Sequence, residues 1–315
     1  MSGIDLHTHL APAIDPERHP IPGLTRQEDG RLALDGRPLG PPRIYRPDEL
    51  DRYREACALD EVVASVPPPF FRQGQPADAT ATWAAALNDG LRAAVAEHPR
   101  TTALAYLPLD HPEVAIAEYA RVRGDDAWVG VVASAGGSSV SLADPALHPL
   151  WDALHADRRL LLLHPGSTPD ERLDAFYLAN LLGNPVETAV AAAQLVFGDV
   201  LARWPAMRVL LVHCGGCVPS VVGRWERGVE TERPGLEPLR EPPVTAVRRL
   251  YVDCLAHDAA AVDQAVATFG PDKLVLGSDW PFPMGSDDPR ALVAHLDPAL
   301  QDAVAVDNAR AALGR

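Results

Sequence analysis

Short apolar runs rich in β-branched residues recur along the chain and alternate with longer Ala/Leu/Arg segments of helical period. The runs predict strands over Gly3–His7, Glu61–Val66, Thr102–Leu107, Val129–Ala133, Leu160–Leu163, Val209–Val212, Leu250–Cys254 and Lys273–Gly277. Helices are predicted over Asp48–Leu59, Ala79–Glu97, Pro112–Arg121, Pro145–Ala156, Pro185–Trp204, Asp258–Phe269, Asp288–His295 and Pro298–Leu313. Strands alternating with helices imply a parallel sheet, and eight strands is the number that closes a (β/α)8 TIM barrel. An open doubly wound sheet is the alternative, but no G-x-G-x-x-G follows the first strand. Residues 11–46 break the alternation: they are rich in Pro, Gly and charge, with Asp29-Gly30 and Asp35-Gly36 as turn signals around Arg31–Leu34. They read as a small hairpin lobe inserted over the C-terminal face. Residues 226–247 form a second polar, Pro-rich excursion, and 1–315 read as one barrel domain.

A barrel places its functional groups at the C-terminal ends of its strands. The ligand-type residues of this chain fall there: His7 and His9 end strand 1, and His164 follows Leu161-Leu162-Leu163. His213 follows Leu210-Leu211-Val212, and Asp279 follows Leu276-Gly277-Ser278. Side chains alternate faces along a strand, so His7 and His9 point the same way. Imidazoles with one carboxylate suit Zn²⁺, and less often Mn²⁺, Fe²⁺ or Co²⁺. His7, His9, His164 and Asp279 fill most of one shell around a single divalent ion. His213 then serves as an acid/base beside it, or else as a fifth ligand.

Composition narrows the partners. A net charge of −15 offers no basic field for nucleic acid or an anionic membrane. No apolar stretch approaches the ~20 residues of a transmembrane helix, and the start is not a signal peptide. The four cysteines (Cys57, Cys214, Cys217, Cys254) fit a reducing compartment, so the expectation is a soluble cytoplasmic protein. Lys273 is the only lysine, and no strand interior carries one, which excludes a lysine-bridged binuclear metal centre on covalent grounds.

An ordered set of motifs extends over most of the chain: I-D-L-H-T-H (4–9), D-P-A-L-H-P-L-W (144–151), L-H-P-G (163–166), V-H-C-G-G (212–216) and V-G-R (222–224). Y-V-D-C-L-A-H (251–257), L-G-S-D-W-P-F-P (276–283) and N-A-R-A-A-L-G (308–314) complete it. In these the chain resembles the amidohydrolase superfamily, in the branch around 2-amino-3-carboxymuconate-6-semialdehyde decarboxylase and other non-oxidative decarboxylases. The resemblance implies a distorted barrel with a small inserted lobe and one divalent metal, usually Zn²⁺. It implies His7, His9, His164 and Asp279 as ligands and His213 as the acid/base. It also implies that Arg43 (or its neighbour Arg46) holds a substrate carboxylate, and that Arg224 reaches into the site of a second subunit in a homodimer.

The implied reaction is decarboxylation of a small unsaturated or aromatic carboxylic acid, with His213 and Asp279 as the catalytic groups. The same site could instead run a hydrolase acting on a lactone, amide or C–C bond, or a hydratase. One departure concerns the pocket: Pro165-Gly166-Ser167-Thr168 lacks the aromatic residue that directly follows H-P in the resembled decarboxylase. Trp280 and Phe282, with Phe70 and Phe71, are expected to line an apolar pocket; Asp5, Asp253 and His257 are expected to brace the site. The C-x-x-C of Cys214 and Cys217 follows His213 instead of opening a redox unit, and His19, His98, His111, His148, His155 and His295 are expected to be structural or solvated.

Overall fold

The computed structural model describes residues 3–18, 20–137 and 139–315; His19 lies outside the described residues. Among the described residues, eight parallel strands form the central sheet: β1 (Ile4–His9), β5 (Glu61–Ser65), β6 (Thr101–Tyr106), β7 (Trp128–Ser134), β8 (Leu160–His164), β9 (Arg208–Leu211), β10 (Leu250–Asp253) and β11 (Leu274–Val275). Neighbours in sequence are neighbours in space throughout. The ends meet through parallel bridges from Asp5 to Leu276 and from Thr8 to Trp280, so the sheet curls into a (β/α)8 barrel. Strand β11 has two ladder residues where five were expected, because beyond Val275 the chain turns its hydrogen bonds to β1: Leu6 N donates to Leu276 O and Asp279 N to His7 O (2.8 Å).

These strands are buried on both faces, as parallel strands covered by helices must be. Leu160–Leu163 are at most 1% exposed, and each leucine so buried contributes on the order of 2 kcal/mol. That burial anchors the strand whose last residue is His164. The helices follow the predicted order: α1 (Pro47–Ala56), α2 (Ala77–Val95), α3 (Pro112–Val122), α4 (His148–Ala156), α5 (Asn184–Phe197), α6 (Val200–Arg203), α7 (Val218–Glu230), α8 (Pro243–Ala246), α9 (Ala259–Phe269), α10 (Pro298–Asp302) and α11 (Asn308–Leu313). The inserted lobe is a three-stranded antiparallel sheet of β2 (Leu24–Arg26), β3 (Leu32–Leu34) and β4 (Arg37–Pro38).

Four expectations are corrected. The single helix expected over Pro185–Trp204 breaks after Phe197, where Gly198 ends α5 and Asp199 takes left-handed backbone (φ 58°) before α6. Residues 226–230 belong to α7, whose Pro219, Gly223 and Gly228 disguise a helix that the barrel's packing nonetheless enforces. The helix expected over Asp288–His295 is only a 3₁₀ turn at Ala291–Val293. There the Asp288 carboxylate accepts from Arg290 N (3.1 Å) and Ala291 N (3.3 Å), holding a turn instead of starting a helix. The segment expected to form one helix over Pro298–Leu313 has a π-helical centre, Ala303–Asp307, between α10 and α11.

Candidate metal centre

Five side chains meet at the C-terminal mouth of the barrel. His7 and His9 point inward together from β1, with ring centroids 5.2 Å apart, and His164 lies 5.0 Å from His7 and 5.1 Å from His9. His213, just past β9, has its ring 5.2 Å from His164 and 5.6 Å from His7. Asp279 closes the group: its Oδ1 is 2.9 Å from His9 Nε2, 3.4 Å from His7 Nε2 and 3.9 Å from His164 Nε2. Its Oδ2 is 3.9 Å from His213 Nε2. Backbone in the left-handed region brings several of these groups in: φ is 54° at His213, 57° at Cys214 and 56° at Asp279. Non-glycine residues adopt that region where surrounding packing over-determines it, often at functional sites.

The far nitrogen of each strand-borne imidazole is occupied, which sets its tautomer. His7 Nδ1 donates to Asp253 Oδ2 (2.8 Å), and His164 Nδ1 donates to Pro165 O (2.7 Å). Ser65 Oγ directs its own hydrogen to Thr8 O (3.4 Å), so it accepts from His9 Nδ1 (3.1 Å). All three rings therefore aim an Nε2 lone pair at Asp279 Oδ1. These four atoms are buried and, among the described residues, have no hydrogen-bond partner. Four converging, unsatisfied acceptors in a dry site are costly until a cation sits among them. The residues present fit a divalent metal.

Two geometric criteria divide the imidazoles differently. Ligand atoms of His7, His164, His213 and Asp279 all lie within 4.8 Å of one another, a group that takes in His213 and omits His9. The buried unpaired atoms bring in His9 Nε2 but include His213 Nδ1 as well. What separates the two is accessibility: the His213 side chain keeps 18% exposure against 4% or less for His7, His9 and His164.

Burial drives His9 down from its ordinary range, outweighing the attraction of Asp279, and drives His164 down to about 3. Burial also opposes protonation of His7, but its hydrogen bond to Asp253 and the charges of Asp279 and Asp253 win and raise it. For Asp279, burial is overcome by His164, His213 and His9, which hold the carboxyl well below its usual range.

Asp253, expected only to brace the site, is its hub. It is fully buried; Oδ2 accepts from His7 Nδ1 and from His213 N (3.1 Å), while Oδ1 accepts from Cys214 N (2.7 Å) and Leu255 N (3.1 Å). Asp5 accepts from His7 N (3.0 Å) and Tyr53 OH (2.7 Å), tying β1 to α1. His257 meets Met284 O (2.8 Å) through Nε2 and lines the site's rim.

Two cavities of about 320 and 340 Å³ open on the cluster, both lined by His213 and Asp279. Arg43 and Trp280 line neither. Arg43 pairs with Glu49 (3.2 Å) and Asp287 (3.8 Å), and its guanidinium lies 5.1 Å from the Trp280 ring in a neighbouring cavity of about 410 Å³. Arg46 is exposed and pairs with Glu49 (3.5 Å). Trp280 is 1% exposed and stacked 5.7 Å from Tyr53, and Phe70 is buried against Trp83, so both pack the core. Phe282, 5.4 Å from the His9 ring, does line a cavity. Phe71 lies against Gly166, where a Cβ would come within 2.9 Å of its ring, and it sits edge-on to His164. All four cysteines are free, and Cys214 and Cys254 are buried. Lys273 sits before β11, at the barrel's opposite end from the cluster, paired with Asp272.

The amidohydrolase family model matches residues 4–315. The chain is 30% identical over 305 residues to 2-amino-3-carboxymuconate-6-semialdehyde decarboxylase of Dictyostelium discoideum, covering 92% of this chain and 84% of that one. In fold it is similar to 5-carboxyvanillate decarboxylase of Sphingomonas paucimobilis (TM-score 0.83, 20% identity, 99% of both chains). It is also similar to a dihydroxybenzoic acid decarboxylase of Polaromonas with bound manganese and 2-nitroresorcinol (TM-score 0.80, 19% identity, 99% of this chain and 97% of that one). The barrel, the convergent imidazoles and the match along nearly the whole chain agree: this protein belongs to the amidohydrolase family.

Proposed function

We propose that this protein is a mononuclear, metal-dependent, non-oxidative decarboxylase of a small aromatic or unsaturated carboxylic acid. The observation that carries the reading is the set of four buried, unpaired acceptors with His213 beside them, in a chain whose 30%-identical relative is a decarboxylase. His7, His9, His164 and Asp279 would hold one divalent ion, Zn²⁺ first, with Mn²⁺ (as in the Polaromonas neighbour), Fe²⁺ or Co²⁺ as substitutes. Such an ion supplies Lewis-acid polarisation of substrate oxygens. The chain's own residues do the rest. Asp253 fixes His7, Ser65 fixes His9, and the Pro165 carbonyl fixes His164. His213, the most accessible imidazole, delivers a proton to the carbon that keeps the electron pair of the breaking C–CO₂ bond. Phe282 and Pro68 supply apolar walls.

We further propose a cytoplasmic homodimer. Phe176 (89% exposed), Tyr177, Leu181, Leu182, Val186 and Val190 are large apolar side chains left exposed on the segment that leads into α5, and exposed apolar surface of this kind marks interaction sites. Arg224, on α7, is exposed and has no ion-pair partner among the described residues, which leaves it free to enter a second copy's site. No helix among the described residues is long and apolar enough to cross a membrane.

The test is release of labelled CO₂ from carboxyl-labelled hydroxybenzoates and dienoates by the zinc-loaded protein, with and without chelator. Metal-dependent release is expected. If no acid loses CO₂ while lactones or amides are cleaved, the protein is a hydrolase on the same scaffold.

A further inference from the structure

At the opposite end of the barrel from the metal centre, a cavity of about 420 Å³ opens where four neighbouring strands begin. Each of those starts carries a cation that lines it. Arg158 comes just before β8, Arg208 is the first residue of β9, Arg248-Arg249 leads into β10, and Lys273 directly precedes β11. The ladder sets these starts level: Leu160 is paired with Arg208, Val209 with Leu250, and Val252 with Leu274. Adjacent strands lie about 4.8 Å apart, so the five side chains share one rim.

The chain has 43 acidic residues against 28 basic ones, yet among the described residues no Asp or Glu lines this cavity. Two of the five cations are answered from outside its wall: Lys273 pairs with Asp272, and Arg249 with Glu241 (2.6 Å). Arg158, Arg208 and Arg248 have no ion-pair partner among the described residues. Arg208 donates to Arg158 O, and Arg248 donates to Ala267 O (3.1 Å); both acceptors are neutral carbonyls. Guanidinium groups do not deprotonate, so three uncompensated charges border one space and repel each other. An anion among them would turn that repulsion into attraction.

The donors indicate which anion. Guanidinium forks arriving from separate strands can share one tetrahedral group with several free oxygens, whereas a carboxylate offers only two, in one plane. Met207 and the buried Tyr251, whose ring centroid lies 5.0 Å from Lys273 Nζ, add apolar surface beside the charges. A net charge of −15 repels an extended polyanion and leaves the site to a small one. We propose that this cavity binds a phosphate group, free or esterified to a small molecule, held by Arg158, Arg208 and Arg248. The site stands apart from Asp279 and does not rest on the reaction proposed above.

Zinc-loaded wild type, Arg158→Gln, Arg248→Gln and Arg18→Gln are titrated calorimetrically with inorganic phosphate and with phenyl phosphate, at ionic strength held constant with sodium chloride. Arg18 is an exposed arginine of the inserted lobe, so its variant makes the same change in net charge away from the cavity. Wild type and Arg18→Gln should bind a phosphate group saturably. Each cavity variant should lose roughly fivefold or more in affinity, the worth of a charge-assisted hydrogen bond at a partly exposed site. Unfolding curves and zinc content check that both exposed-arginine variants fold and keep the metal centre. Tighter binding of phenyl phosphate assigns an ester, tighter binding of inorganic phosphate the free ion, and either supports the site. No saturable binding of either probe overturns the assignment. So does equal affinity in all four proteins, which would put the phosphate elsewhere, or a loss in Arg18→Gln as large as in the cavity variants.

Discussion

Replacing Asp253 with asparagine separates what the structure needs from what the metal needs. The two carboxylate oxygens each accept from two N–H groups: Cys214 N and Leu255 N at Oδ1, His7 Nδ1 and His213 N at Oδ2. Asparagine keeps one acceptor and turns the other into a donor. If its NH₂ faces Cys214 and Leu255, two buried N–H groups are orphaned at about 1–3 kcal/mol each, or roughly 2–6 kcal/mol together. If it faces His7, the imidazole can answer by moving its proton to Nε2, leaving only His213 N unpaired at about 1–3 kcal/mol. The second arrangement is cheaper, and it blocks a metal ligand. The expected outcome is a metal-free stability loss of about 1–3 kcal/mol by urea unfolding, with zinc affinity falling roughly 10- to 100-fold in chelator competition. Zinc affinity within about threefold of wild type, with the larger stability loss, would show that Asp253 does not set the tautomer of His7 and would refute the reasoning.

Other expectations follow from the same packing. Gly277→Ala would place a Cβ 2.6 Å from Asp253 Cβ and 3.0 Å from His7 Cβ, so overpacking should cost about 1–3 kcal/mol and strip zinc; full zinc content at unchanged stability would count against the hub. His213→Gln should keep zinc near one per chain while CO₂ release drops at least ~100-fold; zinc loss would make His213 a ligand instead. In the inserted lobe, burial pushes Tyr45, which donates to Leu39 O (2.7 Å), up to about 12. The folded state then retains a proton that the unfolded chain releases near 10, so this contribution is present below pH 10 and lost as pH rises toward 12. Urea midpoints between pH 9 and 11 should therefore fall less steeply in Tyr45→Phe than in wild type, and equal slopes would contradict this.

Much of the barrel was legible because buried parallel strands are almost wholly apolar: Leu160–Leu163 and Val209–Leu211 could be little else. The cluster was legible for a related reason. A polar residue directly after such a run, as at His164 or His213, lies at a strand's C-terminal end. What the pattern could not carry was side-chain pairing across the fold. Arg43 has the chemistry to bind a carboxylate, but Glu49 and Asp287 already engage it. Trp280 was placed correctly in sequence yet packs on Tyr53 instead of lining the histidine cavities. Asn180 and Asn184, which line both cavities, lie ahead of the helical period that begins at Pro185, so no periodicity singled them out. Helix α7 was hidden by two glycines and a proline that local propensity counts against a helix.

The division of labour among the four imidazoles is the core of the account, and anomalous diffraction at the zinc edge from zinc-loaded crystals tests it directly. The prediction is one ion bonded to Nε2 of His7, His9 and His164 at about 2.0–2.1 Å and to the Asp279 carboxylate at about 2.0–2.2 Å, with His213 outside bonding distance. An ion bonded to His213, with His9 left out, would contradict it.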